Sequence, residues 1–192
     1  MSVTEAKAKL RASAKSARAD AVCADAPAHL SAHLLARYAE FAPGSVVSGY
    51  LAIGDELDVA PALNAFRARG LRTALPVVVA PEAPLVFRQW QSGDPLDDGP
   101  LHTRHPSPDA PQLEPDVLLI PMLAFDGGGY RIGWGGGFYD RTLEVLRRRK
   151  PIQAVGIAYA AQRVDKVPRD HHDARLDAIA TEVAYTEVPE TL

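Results

Sequence analysis

The chain has 192 residues, 47% of them hydrophobic, enough for one domain with a sizeable core spanning residues 1–192 and no need of a second. A formal net charge of −3 argues against a general polyanion binder, which carries a basic face, so no nucleic-acid partner is expected and any phosphate affinity must be local; a monomer is expected. No apolar run of 18 residues occurs, and alanines alternate with Lys7, Lys9, Arg11, Lys15 and Arg18 where a secretory segment would lie; no membrane partner and a cytoplasmic location are expected.

Helices are predicted at 3–20 and 27–40; the single cysteine, Cys23, sits in an alanine-rich stretch that reads as helix and is expected to be a buried or bystander thiol. A strand at 45–52 is followed by a helix at 57–69, whose apolar face is Val59, Ala60, Leu63 and Phe66 and whose stop is Gly70. Strands at 72–78 and 85–90 come next. The segment 91–115 holds six of the sixteen prolines together with Gly93, Asp94, Asp97, Asp98 and Gly99, and reads as a loop inserted within the domain. A strand at 116–121, a helix at 137–149 and strands at 153–158 and 178–183 complete the chain. Helices alternating with Val/Ile/Leu-type strands predict an α/β sheet covered on both faces.

Between the strand ending at Pro121 and the helix starting near Phe138, seven of the eleven residues from Gly127 to Gly137 are glycine. Gly127 to Gly129 fit a tight turn with no ligand. Gly133, Gly135 and Gly137 take alternate positions beside bulky Ile132, Trp134 and Phe138, and glycine costs roughly 0.5–1 kcal/mol in regular structure, so close approach of the backbone to a ligand is the better reading there. A glycine loop that opens a helix directs N–H groups at an anion, and phosphate is the expected one. The loop fits neither the Walker pattern, which needs a lysine, nor the dinucleotide fingerprint.

Arg131-Ile-Gly-Trp-Gly-Gly-Gly-Phe-Tyr-Asp-Arg141, preceded by Pro121 to Asp126, resembles the signature of the 5-formyltetrahydrofolate cyclo-ligase (5,10-methenyltetrahydrofolate synthetase) family. The likeness continues in Lys7-Ala-Lys-Leu-Arg11, in Asp55-Glu56-Leu57, and in Gln162 to Pro168 with His172-Asp173 and Asp177 to Thr181. It implies a three-layer α/β/α sandwich with a mostly parallel central sheet, and a site at the C-terminal ends of the strands. The implied reaction is ATP- and Mg2+-dependent cyclisation of 5-formyltetrahydrofolate to 5,10-methenyltetrahydrofolate, with release of ADP and phosphate.

The same resemblance implies roles for individual residues. Lys7, Arg11, Arg131, Ile132, Gly133, Trp134, Gly135, Gly136, Gly137, Phe138 and Tyr139 would bind ATP. Leu51, Glu56, Trp134, Phe138 and the Gly135–Gly137 backbone would bind the folate. Asp140 and Asp173 would hold Mg2+, with Asp177 a weaker candidate, and Arg131 and Asp140 would be catalytic. Many relatives have lysine at the loop position held here by Gly136, so Lys7, Arg11, Arg131 or Arg141 would have to supply that charge. A non-catalytic binding module and a different small ATP-dependent enzyme on the same scaffold are the rival readings; the joint presence of Lys7, Arg11, Glu56, Arg131, Asp140 and Asp173 argues against the first and less firmly against the second.

Two clusters carry less. His102, His105, His171 and His172 lack the helical spacing and carboxylate partner of a zinc site. Arg147 to Lys150 closes a helix and reads as a solvated complement to its dipole.

Overall fold

The computed structural model describes residues 2–100 and 103–189, so His102 lies outside the described residues. Two helices, α1 (Val3–Asp20) and α2 (Ala26–Arg37), lead into β1 (Val46–Ser48), α3 (Ala60–Ala68) and β2 (Arg72–Val77). Then come β3 (Val86–Gln89), β4 (Leu96–Asp98), β5 (Arg104–Pro106), β6 (Gln112–Leu113), β7 (Val117–Pro121) and a two-residue hairpin pair, β8 (Ala124–Phe125) and β9 (Arg131–Ile132). The chain continues through α4 (Phe138–Arg147), β10 (Gln153–Ile157), a 3-10 turn at Ala160–Gln162, β11 (Ala178–Ala180) and β12 (Tyr185–Glu187).

Eight strands form the main sheet in the order β12-β11-β10-β7-β1-β2-β3-β6. The five from β11 to β2 are parallel, and antiparallel strands complete both sides. Apolar side chains of β7 alternate between the two faces: Val117 and Leu119 enter a core with α2 and α3, Leu118 and Ile120 one with α4. That is why the strand is an unbroken apolar run. The expected three-layer α/β sandwich with a mainly parallel sheet is thus observed. A third, smaller cluster of Ala14, Leu123, Ala124, Ile132 and Val167 joins α1 to the β8–β9 hairpin.

β1 connects through α3 to β2 on one side, and β7 connects through α4 to β10 on the other. Because α3 and α4 lie on opposite faces, the chain departs in opposite directions from the adjacent strands β1 and β7. Open α/β sheets bind ligands in the crevice outside such a reversal.

Several predicted boundaries move. The segment 91–115 is not plain loop: β4 and β5 pair as a hairpin, and β6 adds to the sheet edge. Pro106 ends β5, where a missing N–H is tolerated. The helix expected from 57 starts at Ala60, with Asp58 Oδ1 accepting the Ala60 N–H at 2.9 Å. β1 is shorter than expected and ends at Ser48; Gly49 N–H still donates to Ala74 O of β2 at 3.0 Å, and a Cβ at Gly49 would meet Leu63 Cδ1 at 2.6 Å. The strand expected over 178–183 turns at Thr181–Ala184 and returns as β12. Cys23 is exposed and lies between α1 and α2, not in a helix. Among the described residues, no helix is long and apolar enough to cross a membrane.

Candidate active site

The loop after β1 carries Leu51 and Glu56, the segment after β7 carries the glycines, and α1 reaches both. The glycine run divides into two parts. Asp126 is buried and organises the first: its Oδ1 accepts from the N–H groups of Gly128 (2.9 Å) and Tyr130 (3.1 Å), and its Oδ2 from Val167 N–H (2.9 Å). Gly129 adopts φ +80°, so Gly127 to Gly129 are accounted for as the β8–β9 turn.

The second part is shaped differently. Gly135 (φ +101°) and Gly137 (φ +65°) occupy left-handed conformations that favour glycine. Gly137 is the N-cap of α4 and offers no side-chain cap, which leaves first-turn N–H groups of that helix without a side-chain partner. Gly133 has no such demand: beyond its chain neighbours, a Cβ there would meet nothing within 4 Å among the described residues.

Two arginines close on this loop. Arg11 Nε donates to Gly133 O at 2.9 Å, and its guanidinium lies 3.3 Å from where a Gly135 Cβ would be. Arg141 Nη2 donates to Gly136 O at 2.6 Å, with the guanidinium 5.3 Å over the Phe138 ring. Neither pairs with a carboxylate among the described residues, and Arg141 Nε is buried without a partner. Ile132 is buried in the third cluster, so only its backbone faces the loop; Tyr139 packs partly into the α4 core. Burial, and then the charge of Glu56, raise the Tyr139 hydroxyl well above its ordinary value.

The charged side of the site is a connected set. Arg131 Nη2 donates to Asp140 Oδ1 at 2.8 Å and Nη1 to Ala174 O at 2.7 Å, while Asp140 Oδ1 also accepts Ala174 N–H at 3.0 Å. Lys7 Nζ donates to Asp173 at 2.9 and 2.6 Å and to Asp170 at 2.9 Å. Partial burial draws the Lys7 ammonium down, but the hydrogen bonds to Asp173 and Asp170 outweigh it and leave the group above its ordinary value. Mg2+ needs only one or two carboxylates beside phosphate and water oxygens. Asp140 fits, since its Oδ2 has no partner among the described residues; Asp173 fits once Lys7 is drawn off its oxygens.

On the other side, Glu56 is buried. Its Oε2 accepts Ile53 N–H at 3.0 Å, and its Oε1 accepts Trp134 Nε1–H at 3.1 Å and Arg18 Nη1–H at 3.4 Å. It lies ahead of α3 and does not complement that helix's dipole. Trp134 is 53% exposed, which excludes core packing for it; Lys15 Nζ stands 4.7 Å from its ring centre. Leu51 packs partly against the α2–α3 core.

Lys7, Arg11, Glu56, Arg131, Asp140, Asp173 and the glycine loop therefore meet at one end of the sheet. Asp177 does not join them. It pairs with Arg147 (2.9 Å) and accepts Ala154 N–H (2.7 Å) at the opposite end of the strands. Arg148, Arg149 and Lys150 likewise form ion pairs with Glu144, Glu114 and Asp116. Sequence reasoning missed Arg18 and Asp170. The available signal for Arg18 was its place on the same α1 stripe as Lys7, Arg11 and Lys15, at offsets of 4, 8 and 11.

The solved structure of Aquifex aeolicus 5,10-methenyltetrahydrofolate synthetase has this fold, with a TM-score of 0.68 and 24% identity over 100% of this chain and 95% of that one. A 5,10-methenyltetrahydrofolate synthetase from Mycoplasma pneumoniae superposes with a TM-score of 0.70 at 21% identity, covering 95% of this chain and 99% of its own. The 5-formyltetrahydrofolate cyclo-ligase of Escherichia coli (strain K12) is 36% identical over 140 residues, 70% of this chain and 76% of the relative. The family model described as the 5-formyltetrahydrofolate cyclo-ligase family matches residues 3–182. With its signature loop at the reversal of the sheet, this chain belongs to that family of ligases.

Proposed function

We propose that this protein converts 5-formyltetrahydrofolate to 5,10-methenyltetrahydrofolate with consumption of ATP. One observation carries the nucleotide half of this reading: Arg11 and Arg141 sit on the glycine loop at the N-terminus of α4 with no carboxylate partner among the described residues. A cation in the first turn of a helix opposes the dipole. A phosphate chain lying over the loop would satisfy both guanidinium groups and the N–H groups at that helix end.

A formamide oxygen is a poor leaving group. Transfer of the γ-phosphoryl group to it releases ADP and makes the formyl carbon electrophilic. The folate N10 amine then closes the ring, and the oxygen leaves as part of inorganic phosphate. The chemistry is positioning plus charge stabilisation. Arg131 is held by Asp140 and Ala174 where it can face the transferring group. Lys7 would leave Asp173 for the nucleotide. Mg2+, held by Asp140 and then Asp173, would neutralise phosphate charge. Leu51, Glu56, Trp134 and Phe138 would wall the folate side.

Mixing the protein with 5-formyltetrahydrofolate, Mg2+ and ATP and following the methenyl-folate absorbance tests this. A rise that needs both ATP and Mg2+ is expected. Binding of either ligand by calorimetry with no rise would overturn catalysis in favour of a binding module.

A further inference from the structure

Arg18 is only 3% exposed, on a helix whose other buried residue is Ala14. An apolar side chain would dock α1 without desolvating a charge, and a buried ion pair is rarely the more stabilising choice. The guanidinium nevertheless forks to two neighbours in the loop after β1: Nη2 donates to Asp55 Oδ1 at 2.7 Å and Nη1 to Glu56 Oε1 at 3.4 Å. Its Nε has no partner among the described residues. The arrangement is therefore not optimised for packing or for complete hydrogen bonding.

Its effect lies one residue further on. The Glu56 oxygen that receives Arg18 also receives the indole N–H of Trp134, and Arg18 stands 5.5 Å from the centre of that ring. Trp134 lies between Gly133 and Gly135, is exposed, and belongs to none of the three core clusters. Its placement rests on one hydrogen bond to Glu56 and on the two cations Lys15 and Arg18. Without Arg18, the Glu56 carboxylate would be buried with no countercharge and would turn toward water, taking the indole's acceptor away.

We infer that Arg18 is a positioning residue which, through Glu56, fixes the Trp134 indole on the folate side of the glycine loop. The folate assignment of Glu56 and Trp134 rests on the function proposed above; the orienting of the indole does not.

The test uses the full chain labelled with 5-fluorotryptophan, which gives one 19F signal for each of its two tryptophans, Trp90 and Trp134, assigned with Trp134→Phe. Arg18→Met is expected to shift and broaden the Trp134 signal and leave that of Trp90 in place. In turnover, KM for 5-formyltetrahydrofolate should rise about tenfold while KM for ATP stays within about twofold, and Arg18→Lys should restore part of the loss. An unmoved Trp134 signal, or equal rises in both KM values, would overturn the inference. If Arg18→Met does not fold, Arg18→Gln, which keeps a polar side chain but no charge beside Glu56, is read for the same 19F shift and the same split in KM. If wild-type protein turns over no folate, the function reading fails, and the 19F result still decides the role of Arg18.

Discussion

Arg131 and Asp140 face each other across the glycine loop, Nη2 to Oδ1 at 2.8 Å, and both also bind the backbone of Ala174. One pair thus ties β9, the first turn of α4 and the segment before β11. Asp140→Asn keeps the shape and an acceptor oxygen but removes the charge, leaving a nearly buried guanidinium without a countercharge. Breaking a fully buried pair costs about 3–5 kcal/mol; with Asp140 partly exposed, a loss of about 2 kcal/mol is expected, read by denaturant unfolding. Turnover should fall at least about a hundredfold. Unchanged activity would remove Asp140 from both the metal and the catalytic roles.

Gly133→Ala separates a ligand's demand from the chain's own. Apart from the two chain neighbours, no atom of the described residues lies within 4 Å of the added Cβ, and φ is not positive, so the melting temperature should stay within about 2 °C. A fall in kcat/KM of about tenfold or more would show that substrate approaches the bare backbone. Gly135→Ala, at φ +101°, should instead cost about 1 kcal/mol or more in stability.

Removing the Lys7 amine frees Asp173 Oδ1 and leaves Oδ2 with the Asp170 N–H alone, at 2.7 Å. Lys7→Met is expected to raise KM for ATP about tenfold and leave KM for the folate nearly unchanged, since Lys7 sits at the end of α1 away from Glu56. Initial-rate kinetics with each substrate varied in turn checks this. Equal effects on both substrates would place Lys7 in a general scaffold role.

His105 gives a pH signature in the β4–β5 hairpin. Its ring is buried against Gly99 and its Nε2 meets Thr103 Oγ1 at 2.8 Å; burial lowers its pKa below the ordinary value. The folded state therefore disfavours the protonated ring. Its contribution is present above about pH 6.5 and is lost as pH falls through the lower folded value. His105→Gln should flatten part of the decline in melting temperature between about pH 7.5 and about pH 5. An identical decline in wild type and variant would contradict this.

The sheet was legible because β7 and β10 are short apolar runs bounded by turn residues, and α4 follows its loop at the distance a strand-loop-helix unit needs. The strands within 91–115 were not legible. Leu96–Asp98 and Gln112–Leu113 are too short and too polar to show alternation, and only their partners define them. The glycine loop stood out because glycine reports backbone demands directly, whereas roles for the residues beside it came from the family resemblance alone. Arg18 was hidden because a basic residue on a basic helix reads as solvated, and its burial is decided by Asp55 and Glu56, which are close only in the fold.

The reversal of the sheet at β1 and β7 has a dynamic counterpart. β7 meets β10 over five registered pairs, but meets β1 over only two, Val47 with Val117 and Ser48 with Leu118. The crevice thus opens over the shortest seam between parallel strands. A ligand gripping the loops on both sides would suture that seam, and amide hydrogen exchange along β1 should slow when both substrates are bound, more than it slows in β10.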